Sequence, residues 1–130
     1  MNLSEENTKN ELHKRQKRFK SEDIQTILKN KEKIISKFLN QGRLKNYLED
    51  FKILFSMVKD YAKGKYKTVP WYIISSIGAS LLYILSPMDL IPDFIPFIGY
   101  VDDAAILTLC LNLVKKEVET YKGWKESIAK

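Results

Sequence analysis

The length of 130 residues and the formal net charge of +6 limit what this chain can be. A chain of this size folds around one hydrophobic core and is too short for two independent domains. The charge favours an anionic partner, but only three of the 22 basic residues are arginines, Arg15, Arg18 and Arg43. Because bidentate reading of base edges favours arginine, the composition argues against specific nucleic-acid recognition.

The scarcity of cysteine and histidine excludes several chemistries. Cys110 is the single cysteine, so an internal disulfide is ruled out, and its apolar surroundings at 104–114 predict a buried thiol in a reducing compartment. His13 is the only histidine, and the five glycines form no phosphate-binding loop. We therefore expect no cofactor, no zinc site, no nucleotide hydrolysis and no thiol catalysis. The first residues also lack the pattern of a secretory signal.

The amino-terminal segment, residues 1–20, is polar and basic. Between residues 4 and 20, Leu12 and Phe19 are the only large apolar side chains, so the sequence offers no face wide enough to bury. This predicts a mobile arm or a frayed helix. The remaining residues, 21–130, are predicted to form a single helical domain.

Two amphipathic helices are predicted next. Ser21, followed by two acidic residues, is typical of an N-cap, and apolar residues at helical spacing over 24–39 predict a helix that ends at Gly42. Apolar residues over 44–62 form the most regular stripe in the chain, and Gly64 lies where that helix should end. The stripe is interpreted as a core-facing surface in preference to a ligand groove.

The third apolar region, 68–88, contains no charged residue. A helix of about 20 residues spans roughly 30 Å, which is the thickness of a bilayer's hydrocarbon core. Both a membrane-inserted helix and a buried central helix fit this run. The last apolar run, 104–114, is too short to cross a membrane alone. No alternating pattern indicates a strand, so the predicted class is all-α, a small bundle of four to five helices.

A turn rich in proline and aspartate joins these two apolar runs. Ser86, Pro87 and Asp89 have the order of a helix start, with a hydroxyl cap, a proline and then a carboxylate. The prolines further on lack the amide hydrogens that a continuing helix needs. The sequence therefore predicts an apolar helical hairpin over 68–114. Its turn is marked by Ser86, Pro87, Asp89, Pro92, Asp93, Pro96, Gly99, Asp102 and Asp103.

The motif Ser-Pro-Met-Asp-Leu-Ile-Pro-Asp-Phe-Ile-Pro-Phe-Ile-Gly-Tyr-Val-Asp-Asp, residues 86–103, resembles the signature of the YkvA-like family, a domain of unknown function. The resemblance covers residues 68–110. Family members are small bacterial proteins usually described as membrane proteins, so the resemblance implies membrane association. It implies no established activity or ligand.

The aspartates of the motif leave three interpretations open. They cap helix starts through backbone amides, which is the ordinary role of such carboxylates. Alternatively, Asp89, Asp93, Asp102 and Asp103 supply oxygen ligands to Mg²⁺ or Ca²⁺. The third interpretation is acid–base catalysis, but hydrolytic sites normally add a nucleophile, a histidine or oxyanion donors, and none is grouped here. The chain is therefore expected not to be an enzyme and to hold no metal.

Lysines and aromatic residues flank the apolar hairpin on both sides. Their arrangement is typical of the positive-inside pattern and of an interfacial aromatic belt, which predicts a location at the cytoplasmic face of a membrane. Two clean crossings are disfavoured, because an aspartate near the bilayer centre costs about 2.5 to 3.5 kcal/mol. The predicted membrane-interface residues are Lys63, Lys65, Lys67, Trp71, Tyr72, Lys115 and Lys116.

Three functions follow from these patterns. The first is a membrane-associated adaptor at the cytoplasmic face, whose hairpin 68–114 inserts or docks and whose partners are anionic lipid, another protein or both. The second is a soluble helix bundle, for example a homodimer, in which residues 22–64 wrap the hairpin. The third and least favoured is a divalent-metal-dependent enzyme that uses the aspartate turn.

Overall fold

The protein is all-helical in the computed structural model, which describes residues 3–85 and 103–129. No strand occurs in these two ranges, so the predicted all-α class is confirmed. A short 3₁₀ turn, Leu44–Tyr47, precedes the fourth helix. The α-helices in chain order are α1 Leu3–Arg18, α2 Ser21–Lys29, α3 Lys31–Asn40, α4 Leu48–Ala62, α5 Trp71–Leu85 and α6 Asp103–Ala129.

Helix α5 is the centre of the bundle, and each of the other five helices contacts it. Twelve of its fifteen residues are buried, including Ile74, Ile77 and Leu81. The sequence left open whether the uncharged run is a membrane-inserted helix or a buried central helix. In the structure, residues 71–85 form a buried central helix. Within the described ranges, the helices fall short of the length and apolar character needed to span a membrane.

The predicted helix over 24–39 is divided at Asn30 into α2 and α3. The Asn30 side-chain amide donates to the Thr26 carbonyl at 2.7 Å, and the Asn30 backbone amide bonds the Ile27 carbonyl at 3.1 Å instead. The Asn30 side chain thus takes the Thr26 carbonyl that the Asn30 backbone amide would bond in a regular α-helix, and this interrupts the ladder of backbone hydrogen bonds. The predicted N-cap at Ser21 is also wrong by one residue, because the Lys20 amide donates to the Asp23 carboxylate at 2.9 Å and Lys20 is the cap.

The stripe predicted over 44–62 faces the core, and its residues Leu44, Phe51 and Leu54 are at most 1% exposed. Its first turn is 3₁₀ and not α-helical. The predicted end at Gly64 is confirmed, since α4 ends at Ala62 and Gly64 has a φ of 77°. Glycine adopts this left-handed conformation without steric cost.

Helix α1 packs against α5 and α6, so the interpretation of residues 4–20 as lacking a face to bury is wrong. Leu12 and Phe19 are 2% and 5% exposed and belong to the common core. The apolar face is narrow, but α5 offers it small residues, and the Phe19 ring lies directly over Gly78. Arg15 is also buried, with its guanidinium 4.6 Å from the centre of the Tyr83 ring.

Candidate functional site

The predicted turn motif lies mostly outside the described residues. This holds for Ser86, Pro87, Asp89, Pro92, Asp93, Pro96, Gly99 and Asp102. Asp103 is the first residue of α6, which agrees with its predicted place in the first turn of the final helix. The expectation that the four motif aspartates cap helices and hold no metal, with cation binding as the less favoured alternative, therefore stays a prediction. In the described part of the chain, no group of three or more histidine, cysteine, aspartate or glutamate side chains is arranged to hold a metal.

The predicted membrane-interface residues are all described, and all are exposed. Three lysines lie in the loop between α4 and α5, and two lie on α6. Trp71 and Tyr72 form the start of α5 and are 39% and 49% exposed. The set comprises Lys63, Lys65, Lys67, Trp71, Tyr72, Lys115 and Lys116.

The loop between α4 and α5 lies against the carboxyl-terminal half of α6. The Tyr66 ring is 5.0 Å from the Tyr121 ring and 4.8 Å from the Trp124 ring, measured between centroids. Lys65 and Lys67 flank Tyr66 in the chain, so both lie close to Tyr121 on α6. Tyr121 is five residues, or about one and a half helical turns, beyond Lys116. The structure thus brings the two predicted basic clusters to the same end of the bundle. We call residues 63–72 together with 115–125 the basic aromatic end.

Trp71 is held in place by two other rings. Its centroid is 5.9 Å from that of Phe19, which directly follows α1, and 6.2 Å from that of Tyr61 on α4. Such tilted aromatic pairs contribute about 0.5 to 1.5 kcal/mol beyond their area burial. Trp71 is therefore held by ring contacts while 39% of it stays exposed.

A buried carboxylate that the sequence analysis missed anchors this end. Asp60 is 5% exposed, and its Oδ2 accepts hydrogen bonds from the Tyr121 hydroxyl at 2.5 Å and from Lys125 Nζ at 2.9 Å. The Asp60 carbonyl also accepts from the amides of Lys65 and Tyr66 at 2.9 and 3.2 Å. One residue thus joins the end of α4, the lysine-rich loop and α6. We call Asp60, Tyr121 and Lys125 the Asp60 clamp.

The electrostatics of the Asp60 clamp favour its hydrogen-bonded form. Burial alone would raise the pKa of Asp60, but the donors Tyr121 and Lys125 outweigh it and lower that pKa. Burial and the Asp60 carboxylate raise the pKa of Tyr121, so the phenol stays neutral. The hydrogen bond to Asp60 raises the pKa of Lys125, although this lysine is 49% exposed. The three groups thus favour the charged Asp60, the neutral Tyr121 and the charged Lys125 that these hydrogen bonds require.

The sequence signal for Asp60 is weak but recognisable. Asp60 lies on α4 between Met57, which is fully buried, and the half-buried Tyr61, so a charge there requires a partner. Nothing in the spacing of the chain points to Tyr121 or Lys125, which lie 61 and 65 residues away. Only the docking of α6 on α4 identifies them.

The remaining reactive group, Cys110, is inert in this fold. It is fully buried, its Sγ lies 3.7 Å from the Ser76 carbonyl oxygen, and burial raises its pKa to about 11. A nucleophilic cysteine needs a lowered pKa and access to solvent. The buried thiol predicted from the sequence is confirmed.

The fold defines a small helical bundle built around an enclosed uncharged helix. Residues 73–109 match the family described as "Protein of unknown function (DUF1232)". The chain is 34% identical over 87 residues to the "Uncharacterized membrane protein YkvA" of Bacillus subtilis (strain 168), a stretch covering 67% of this chain and 82% of that protein. The chain therefore belongs to the YkvA-like DUF1232 family. No solved structure matches it significantly.

Proposed function

We propose that this chain is a non-enzymatic adaptor that binds the cytoplasmic surface of a membrane through its basic aromatic end. The observation that carries the proposal is the exposed pair Trp71 and Tyr72, which is separated by three residues from the lysine-rich loop 63–67. Indole and phenol rings favour the depth of lipid headgroups. Lysines near an anionic leaflet each contribute about 1 kcal/mol of attraction.

Burial of α5 supports docking on the surface over immersion of this helix. The other helices cover the apolar side chains of α5. These side chains are therefore already removed from water and need no lipid to cover them. The aromatic and basic residues at its start stay accessible. The B. subtilis relative, named as a membrane protein, supports the association itself.

The chemistry of the described groups supports a binding role over an enzymatic one. The buried Cys110 thiol has a pKa of about 11, and the Asp60 carboxylate is engaged by Tyr121 and Lys125. Neither group is available to act on a substrate. The expected partners are therefore anionic lipid, a second protein or both, and no cofactor.

Membrane flotation of the untagged protein from its native host tests this proposal. We expect the protein to float with membranes and to be released by high salt, because screening weakens lysine attraction to anionic lipid. A triple substitution, Lys63→Glu, Lys65→Glu and Lys67→Glu, should abolish flotation. Retention of the triple variant on membranes would contradict the proposal.

The matched control changes the same number of charges elsewhere. Lys29, Lys33 and Lys45 are exposed on α2, α3 and the 3₁₀ turn, outside the basic aromatic end. Converting these three to glutamate produces an equal change in net charge. If both triple variants lose membrane binding equally, general charge and not this surface holds the protein.

A soluble helix bundle is the second candidate function. The observation that favours it is that α2, α3 and α4 cover α5, as expected if residues 22–64 wrap the apolar hairpin. A protein that never floats with membranes supports this alternative and refutes membrane docking. Sedimentation at increasing concentration would then test for a homodimer.

A further inference from the structure

A groove runs between α1 and α6, with the start of α5 as its floor. It holds a depression of about 270 Å³ whose apolar surface comes from Leu12, Tyr72, Leu109 and Leu113. A second depression of about 460 Å³ adjoins it and shares Leu109. Small-molecule sites commonly occupy clefts of about 300 to 1,000 Å³ with a mainly apolar lining. We call these two depressions the α1–α6 groove.

Two apolar side chains in the groove are unusually accessible. Leu113 is 44% exposed and Tyr72 is 49% exposed, whereas Leu12 beneath them is 2% exposed. They are two of the five large apolar residues that the described surface exposes. An apolar surface of this kind, in a concave setting, is suited to a ligand with an apolar part.

The edge of the groove carries basic side chains. Lys9 and His13 lie one turn apart on α1 and line the first depression, and Lys9 also lines the second. Arg43 lines the second depression together with Lys9. None of the residues lining either depression carries a carboxylate. The charge of this rim is complementary to an anionic group.

We infer that the α1–α6 groove binds one anionic phospholipid, with an acyl chain on Leu109 and Leu113 and the phosphate beside Lys9 and His13. The apolar floor accounts for the chain and the cationic rim for the headgroup. The groove is continuous with the basic aromatic end through Tyr72, so the inference rests on the proposed function for the source of the lipid. It assigns the lipid a particular site, which surface attraction alone does not.

A monomeric lipid tests the groove independently of any membrane. The probe is lysophosphatidylglycerol below its critical micelle concentration, with binding to the full chain measured by native mass spectrometry and titration calorimetry. We expect saturable binding of one molecule. Leu113→Asp should weaken it about tenfold or more, since it removes apolar contact and places a carboxylate near the phosphate. Lys9→Glu should weaken it several-fold and reduce its salt dependence.

Matched controls lie on α3. Leu39 is 50% exposed, so Leu39→Asp makes the same chemical change outside the groove, and Lys33→Glu does the same for Lys9→Glu. Both controls should bind like wild type. If circular dichroism shows that Leu113→Asp is unfolded, Tyr72→Ser replaces it, because this exposed residue also lines the groove.

Four results would overturn the inference. The first two are no saturable binding by wild type and equal binding by Leu113→Asp and Leu39→Asp. The third is that wild type binds neutral lysophosphatidylcholine as tightly as lysophosphatidylglycerol. The fourth is that glycerol phosphate, which lacks the acyl chain, displaces the bound lysophosphatidylglycerol as well as free lysophosphatidylglycerol does. Failure of this inference is distinguishable from failure of the proposed function. A protein that floats with membranes but does not bind the monomeric lipid keeps its surface attachment and loses the groove site.

Discussion

Replacement of Gly78 by alanine should destabilise the protein through a single contact. A Cβ at residue 78 would lie 2.5 and 2.7 Å from Phe19 Cε1 and Cε2, and closer still to Cζ. The Phe19 ring is 5% exposed between α1 and α5, so it cannot yield without leaving its site. The alanine therefore separates the end of α1 from the central helix.

The size of the effect follows from two opposing terms. Loss of a buried phenylalanine and of the packing around it costs about 3 to 5 kcal/mol, as in phenylalanine-to-alanine changes. Alanine in place of glycine inside a helix returns about 0.5 to 1 kcal/mol. We expect Gly78→Ala to lower the free energy of unfolding by about 2 to 4 kcal/mol.

A double-mutant cycle isolates the Phe19 contact from general damage to α5. In a Phe19→Ala background the ring is absent, so Gly78→Ala should stabilise the protein by the helix-propensity gain alone. The coupling free energy between the two sites should then be about 3 to 5 kcal/mol. Gly123→Ala is the control, since this glycine lies within α6 with no atom within 4 Å of an added Cβ.

Urea unfolding followed by circular dichroism measures all four proteins and the control. Gly123→Ala should be more stable than wild type by about 0.5 to 1 kcal/mol. The reasoning is refuted if Gly78→Ala is as stable as wild type, or if its cost persists when Phe19 is already alanine.

Three further predictions concern the other buried polar and thiol groups. Asp60→Asn should lower the free energy of unfolding by about 1 to 3 kcal/mol at neutral pH, because the charged partner of the Tyr121 hydroxyl is lost. Since the pKa of Asp60 is lowered in the fold, this difference should persist above its usual value of 3.8 and shrink as pH falls below it in urea titrations. Cys110, with a pKa of about 11, should react with a thiol reagent at pH 8 only as fast as the protein opens, so rapid labelling of the folded chain would contradict its burial. Arg15→Lys should lower the unfolding midpoint in urea, since an ammonium cannot reproduce a planar guanidinium 4.6 Å from the Tyr83 ring, whereas unchanged stability would mean that the stacking contributes nothing.

The Asp60 clamp also has consequences for the proposed membrane surface. Because it joins α4, the lysine-rich loop and α6, it holds two parts of the basic aromatic end in a fixed relation. The Asp60→Asn variant should therefore keep every lysine of this end but hold the loop and α6 less firmly in their relative positions. Comparing its flotation with that of the loop triple variant separates charge from positioning.

Local periodicity and turn chemistry determined much of the fold from the sequence. The stripe over 44–62 is regular because every third or fourth residue faces the core, and Gly64 marks its end because glycine tolerates positive φ. The sequence shows that the run 68–88 is uncharged and apolar, but it does not show whether lipid or protein covers it. Lipid and protein both accept the same side chains, so composition alone does not distinguish them.

Tertiary packing decided the features that lack a local signal. Helix α1 carries few apolar residues, and its burial depends on Gly78, which admits the Phe19 ring from a distant part of the chain. Asp60 finds its donors only because α6 docks on α4. In both cases the partners are about sixty residues apart, beyond the reach of helical spacing. The sequence by itself determined the all-helical class, the family motif and the basic aromatic flanks. Only the three-dimensional structure decided that α5 is enclosed by protein and that a groove opens between α1 and α6.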